Sequence, residues 1–169
     1  MRLSYLALVP LLALAACSNS GDGFGGNLLG GGSGWDDTAV NVEDLNDPKS
    51  QAFFEKTIGD RVFFEVDQFT LNASAKAALD TQARWLINNP GYVIIVEGHA
   101  DEQGTREYNL ALGFRRAQSV QEYLVARGVS GLRLKTRSYG KERPIEICSV
   151  ERCYSKNRRA VTLLTAGLS

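Results

Sequence analysis

The chain has one histidine, three cysteines and no surplus of charge of either sign, and each shortage closes off a class of function. A tetrahedral metal site gathers four ligands, mostly His and Cys. A single His beside a few carboxylates is a poor start on such a set. Nineteen basic residues balance nineteen acidic ones, so no global field draws the chain onto nucleic acid. There is no GxSxG elbow to raise a serine nucleophile. Gly140-Lys141 lacks the earlier glycine of a phosphate-binding loop. No apolar run reaches the roughly 20 residues that a spanning helix needs.

What is present begins at the N-terminus. MRLSYLALVPLLALAAC carries one positive charge, Arg2, and then an apolar run from Tyr5 to Ala16 broken only by Pro10. A charged start, a short apolar core and a small-residue end mark a secretory signal. Leu14-Ala15-Ala16-Cys17 resembles the lipobox of bacterial lipoproteins. That resemblance implies removal of residues 1–16 and a diacylglycerol on the Cys17 sulfur, with palmitate among the acyl chains. Ser18, rather than Asp, follows the cysteine, which in the sorting logic of many Gram-negative bacteria favours the outer membrane. Two or more acyl chains anchor stably where one does not. The only charge before Cys17 is Arg2, so the processed chain is net −1.

From Ser18 to Gly34, eight of 17 residues are glycine. Such a stretch buries too little apolar surface to offset its ordering entropy. Residues 17–46 are therefore predicted to be the lipidated cysteine and a tether. As a random coil it spans about 30 Å on average, and stretched it reaches about 100 Å. Residues 47–169 are enough for one domain with one core. Cys148 and Cys153 would meet an oxidising compartment, where a pair is most simply a disulfide. Half a zinc site is the alternative.

Within the domain, SQAFFEKTI reads as a short helix, with Asp47 as its cap and Pro48 in its first turn. RVFFEV, residues 61–66, reads as a strand. Asn72 caps a helix to about Asn89, with Ala75, Ala78, Leu79, Ala83, Leu86 and Ile87 at helical spacing. YVIIVE, residues 92–97, is apolar enough for a central strand buried on both faces. A helix over Arg106–Arg127 follows, with Leu110, Ala117, Val120 and Leu124 toward the core, ended by Gly128. Strands at Leu132–Ser138 and Ala160–Thr165 flank a long connection, Tyr139–Ser155. The order predicts parallel neighbours joined by helices on one face of a sheet, with a last strand antiparallel to its predecessor.

EGHADEQG, between a buried strand and the long helix, is where chemistry concentrates. His99 shapes the loop on this reading. Asp101 lies 15 residues before Arg116, and a helix packed back along the sheet can bring the two together. Facing one cavity, they match a zwitterion, carboxylate to ammonium and guanidinium to carboxylate. Facing each other, they are a structural salt bridge. Spacing leaves both readings open. A peptidoglycan-modifying or metal-dependent periplasmic enzyme is the alternative in another class.

The run V-EGHAD-x-x-G-T-x-EYN-x-x-LG-x-RRA-x-x-V, then SYGKE-x-P, then YSKNRRAV, resembles the OmpA C-terminal-like family in its peptidoglycan-associated lipoprotein branch. The resemblance implies an α/β (α+β) sandwich, β-α-β-α-β-β, with helices on one face of a mixed sheet. It implies a non-enzymatic domain that binds the diaminopimelate stem peptide of peptidoglycan, needing no cofactor beyond the lipid on Cys17. Carried onto these positions, the ligand residues are Asp101, Arg116, Asn109, Leu112, Asp67 and Arg158, with Asn157 beside them. Val66 stands where the family usually has an aromatic, which weakens the case for aromatic packing there. For the pair Arg158–Arg159, a solvated edge strand is the other reading. The implied setting is the periplasmic face of the outer membrane, with TolB and the Tol envelope complex as partners in cell division and envelope integrity.

Overall fold

The computed structural model describes residues 45–166. Cys17, the predicted signal and most of the predicted tether lie outside the described residues.

The first complete element among the described residues is α1, Gln51–Phe53, which runs into a π-helical turn, Phe54–Gly59. Ser50, not Asp47, caps it, its Oγ accepting from Phe53 N at 3.0 Å. Asp47 turns the backbone just upstream, accepting from Lys49 N. Two side chains pin this entry. Trp85 Nε1 donates to Pro48 O at 2.8 Å, and Tyr92 Oη donates to Lys49 O at 2.9 Å. Phe54, fully buried, packs 4.9 Å from the Trp85 ring.

Strand β1 is shorter than predicted, Arg61–Phe63. Helix α2, Ala73–Asn88, starts at the expected cap, with Asn72 Oδ1 accepting from Ala75 N at 2.8 Å. Its buried stripe includes Leu79, Ala83, Trp85 and Leu86, while Ile87 is exposed against expectation. Gln82, also in the stripe, is fully buried because its amide is used at both ends. It donates to Gly59 O and accepts from Thr162 Oγ1. Strand β2, Tyr92–His99, leads to helix α3, Arg106–Ala126, capped by Thr105. Leu110 faces solvent, not the core. The inner face of α3 runs instead through Asn109, Leu112, Gly113, Arg116, Ala117, Val120 and Leu124. Gly128 ends this segment with φ 99°, as a left-handed turn requires. Strand β3, Leu134–Gly140, lies two residues later than predicted.

The four strands form one sheet in the order β1-β4-β2-β3, where β4 is Arg159–Ala166. β2 and β3 are parallel, as a helical crossover dictates. β4 runs opposite to β3 as predicted but does not pair with it. It inserts between β1 and β2, antiparallel to both. It shares seven residue pairs with β2 and three with β1. Arg159 is therefore in a central strand, and both arginines of the Arg158–Arg159 pair are buried. The solvated-edge reading is overturned.

Helices α2 and α3 lie on one face of the sheet. On that face Ile94 and Val96 are fully buried. Val93 and Ile95, pointing the other way, are only half-buried, so β2 is not covered equally on both sides. Backbone meets backbone where α3 crosses β2. A Cβ on Gly98 would lie 1.8 Å from the Gly113 carbonyl oxygen. Two glycines at one crossing let the helix sit directly on the strand, which sets the depth of the residues that follow. The predicted long connection contains a further helix, α4, Glu151–Asn157, and Cys148 is bonded to Cys153, with Cα atoms 5.9 Å apart.

Candidate binding site

The loop after β2, the start of α3 and the chain beyond β1 enclose a cleft of about 260 Å³. Six of the predicted residues line it: Val66, Asp67, Asp101, Asn109, Leu112 and Arg116. Arg158 does not line it but stands behind Asp101.

Arg116 is at the floor, fully buried. Its place follows from the Gly98–Gly113 crossing one turn earlier in α3. Nε donates to Gln68 O at 2.8 Å, Nη1 to His99 O at 2.8 Å and Nη2 to Glu65 O at 3.3 Å. The guanidinium lies 5.2 Å from the Phe64 ring centre, face on to a π cloud. Three of its five N–H groups thus tie the post-β1 segment to the end of β2. Burial pushes its pKa down to about 10, opposed by Asp101, so it stays a cation at neutral pH.

Asp101 forms the wall. Oδ1 accepts from Gln103 N at 3.2 Å, closing a tight turn. Oδ2 accepts from Arg158 Nη1 at 3.2 Å. The salt bridge at this site is therefore Asp101–Arg158, and Asp101 and Arg116 are not bonded to each other. Arg158 also donates to Phe64 O and binds Glu151 through both terminal nitrogens. Burial pulls Arg158 down, but the hydrogen bonds to Glu151 and Asp101 outweigh it and hold the pKa above its ordinary value. The Arg158 hydrogen bond holds Glu151 below its usual range.

Asn157 organises the rest. Its Oδ1 accepts from Ile145 N and Glu146 N, and its Nδ2 donates to Glu102 Oε1 and Glu146 O. Asn109 Nδ2 donates to Gln103 O at 2.7 Å, and Lys141 Nζ to Gly104 O at 2.7 Å. The ligand loop is thereby held from three sides. Gly104, at φ 88°, supplies a conformation that side chains resist.

Tyr108 also lines the cleft, its hydroxyl bonded to the Asp67 carboxylate, which raises the Tyr108 pKa. Sequence reasoning missed Tyr108, Gln103 and Gly104. Tyr108 brings an aromatic ring to a cleft that has only Val66 at the position after β1. The adjacent Asn109 was read from the same three residues; it is buried on the inner face of α3, whereas Tyr108 is exposed. His99 supplies only its carbonyl oxygen to this site, because its side chain points to the other face of the sheet. Among the described residues no group of three or more His, Cys, Asp or Glu is placed to hold a metal.

The profile of the OmpA family matches residues 63–158. A peptidoglycan-associated lipoprotein of Rhizobium meliloti (strain 1021) is 48% identical over 165 residues, covering 94% of this chain and 85% of its own length. One from Pseudomonas aeruginosa is 39% identical over 163 residues, covering 94% and 93%. The crystal structure of the peptidoglycan-associated lipoprotein from Burkholderia pseudomallei superposes with a TM-score of 0.64 at 34% identity, covering 72% of this chain and 99% of that one. The C-terminal domain of Helicobacter pylori MotB, at 23% identity and a TM-score of 0.60, shares the fold. The residue pattern, the mixed sheet and these likenesses agree, and the chain belongs to the OmpA family, among its peptidoglycan-associated lipoproteins.

Proposed function

We propose that the cleft binds the zwitterionic end of a diaminopimelate-containing stem peptide and so holds peptidoglycan non-covalently. The observation that carries the reading is the isolation of Arg116. Its charge is fully buried and kept, yet within the protein its hydrogen bonds go only to carbonyls, while the nearby Asp101 is paired with Arg158. A buried charge without a counter-ion is expensive. A ligand carboxylate at the cleft floor supplies that counter-ion, and two Arg116 N–H groups remain for it. Asp101 keeps lone pairs for an ammonium beyond those used by Gln103 N and Arg158. Asn109 and Asp67 add polar contacts, and Leu112, Val66 and Tyr108 line the cleft around the aliphatic stem.

The relatives reported above are named for association with peptidoglycan, and the role is binding, not catalysis. With lipid on Cys17 and residues 17–46 as a tether, the domain links the outer membrane to the wall from the periplasmic side. Work with TolB and the Tol complex in cell division belongs to the same proposal and rests on family membership alone.

Calorimetric titration of the detergent-solubilised chain with a diaminopimelate stem peptide tests the grip. Truncating one partner of a buried charge pair costs roughly 2–5 kcal/mol, so Asp101→Ala and Arg116→Ala each lose at least about 30-fold in affinity. Arg116→Lys, which keeps the charge but not the fork, loses less. A folded parent that does not bind overturns the reading, as does release of any new muropeptide product.

A further inference from the structure

The face of the sheet turned away from α2 and α3 carries a second cleft, of about 290 Å³. β2 and β4 build its floor, with Glu97 opposite Val161 in the strand pairing and His99 and Arg159 further along. The loop after β3 adds Arg143 and Ile145 at the rim. Arg158 and Arg159, neighbours in sequence, point apart. One braces Asp101 in the first cleft, and the other lines this one.

Two nitrogens here have no partner, His99 Nδ1 and Arg159 Nε. Their residues are only 2% and 6% exposed. Buried polar groups almost always find partners, so an orphan at each of two neighbours points to something missing. Arg159 gives its other nitrogens to carbonyls, Asn157 O at 3.3 Å and Arg143 O at 3.2 Å, and none to a carboxylate. Glu97 and Asp60 are close enough to favour the Arg159 cation, but neither forms an ion pair with it. Asp60 is held by Arg61 at two points. Glu97 stands 4.0 Å from both His99 Nε2 and Arg137 Nη1. Glu55, which also lines the cleft, accepts from Gln51 Nε2. Arg143 lies 3.8 Å over the Tyr139 ring and has no carboxylate partner among the described residues. Burial first, then Arg159 and Arg143, push the His99 pKa down to about 3, so the field at the imidazole is positive. Beside this charged end, Val161, Leu163 and Ile145 form an apolar shelf. A few polar groups at one end of an apolar concavity is the usual build of a small-molecule site.

We propose that this cleft is a second ligand site, separate from the stem-peptide cleft, for a small organic carboxylate with an apolar body. The carboxylate meets Arg159 and Arg143, and the apolar body covers Val161, Leu163 and Ile145. A bare inorganic anion would leave the shelf uncovered, and at the end of the cleft that holds the orphaned nitrogens a cation would face Arg159 and Arg143.

The chain's only histidine is a built-in reporter. The test is nuclear magnetic resonance of the ¹⁵N-labelled, detergent-solubilised full chain, following the His99 imidazole. N-acetyl-leucine is the probe, with its amide and inorganic phosphate as comparisons. N-acetyl-leucine should shift the His99 signal saturably, and the amide and phosphate should not. Arg143→Gln, at an exposed position that leaves the fold intact, should weaken binding at least about tenfold, as loss of a charge-assisted hydrogen bond implies. Arg159→Lys should do the same if it folds. Asp101→Asn should leave the response unchanged. The proposal is overturned if no probe shifts His99, which would mean that water alone meets the two nitrogens. It is also overturned if phosphate or the amide binds as well as the acid, if Arg143→Gln binds like the parent, or if Asp101→Asn abolishes the response.

Discussion

Gly98→Ala tests whether the backbone crossing of β2 and α3 sets the ligand site. The added Cβ falls 1.8 Å from Gly113 O, 2.7 Å from Gly113 C and 3.1 Å from Ala117 N. All three are backbone atoms, so no rotamer relieves them. Reaching ordinary contact, about 3.4 Å, requires α3 to retreat by about 1.6 Å at this point. Overpacking a core costs typically about 1–3 kcal/mol and occasionally more, and two rigid elements put this case at about 3 kcal/mol. That is a large share of a typical domain stability of about 5–15 kcal/mol. A retreat of that size also breaks the 2.8 Å bond from Arg116 Nη1 to His99 O, one turn along. Urea denaturation of the solubilised chain, paired with stem-peptide calorimetry, reads both effects. The expected result is an unfolding free energy lowered by about 3 kcal/mol, read as a lower urea midpoint at unchanged slope, and affinity down at least about tenfold even where the variant is fully folded. Stability within about 1 kcal/mol of the parent, with unchanged affinity, would refute the reasoning. Gly113→Ala is the companion, since helix propensity alone favours it by about 1 kcal/mol. Its Cβ meets Ser138 Oγ at 2.5 Å and Gly98 O at 2.8 Å, so it should destabilise instead.

Asn157→Ala removes four hydrogen bonds from a fully buried side chain and strands two backbone N–H groups at Ile145 and Glu146, so denaturation should show a loss of about 3 kcal/mol. Replacing Cys148 and Cys153 together by serine opens a loop of sequence separation 5, which should lower stability by about 2 kcal/mol on the chain-entropy account while stem-peptide affinity holds. His99 titrates near 3 when folded and near 6.5 when unfolded, so the unfolded chain takes the proton first as pH falls. Stability should therefore decline from about pH 6.5 downward and level off below about 3, and His99→Gln should flatten the part of that slope between pH 5.5 and 6.5, where ordinary carboxylates are silent.

Much of this molecule was legible in its sequence because local physics and global fold agree there. Asn72 caps α2, the apolar run of β2 is central, and Gly128 ends the long helix. The errors have physical reasons. The direction of β4 was legible but its place between β1 and β2 was not, because pairing partners are decided across the sheet and not by order along the chain. α4 has seven residues, too few to hold a helix by propensity. Asn157 holds its end through hydrogen bonds to residues more than ten positions away, and Cys153 ties it to Cys148 by the disulfide. The cleft residues were readable as a motif, but their wiring was not. Spacing paired Asp101 with Arg116, and only the fold shows Arg158, 57 residues on, taking that carboxylate. The orphaned nitrogens of His99 and Arg159 left no mark in the sequence, since burial without a partner is a property of the packed molecule.

The pinned entry of the chain has a mechanical consequence. Any pull arriving from before Asp47 reaches α1 first and β1 next, while the ligand loop hangs from β2 on the far side of β4. Between β1 and β4 there are three residue pairs, against seven between β4 and β2, so the first seam would peel under tension before the second. The Trp85 and Tyr92 side chains grip the backbone at Pro48 and Lys49, ahead of that seam, and route the force into α2 and the start of β2. The short edge strand is thereby shielded, and rupture would begin at these two hydrogen bonds, before Phe54 is drawn out of the core.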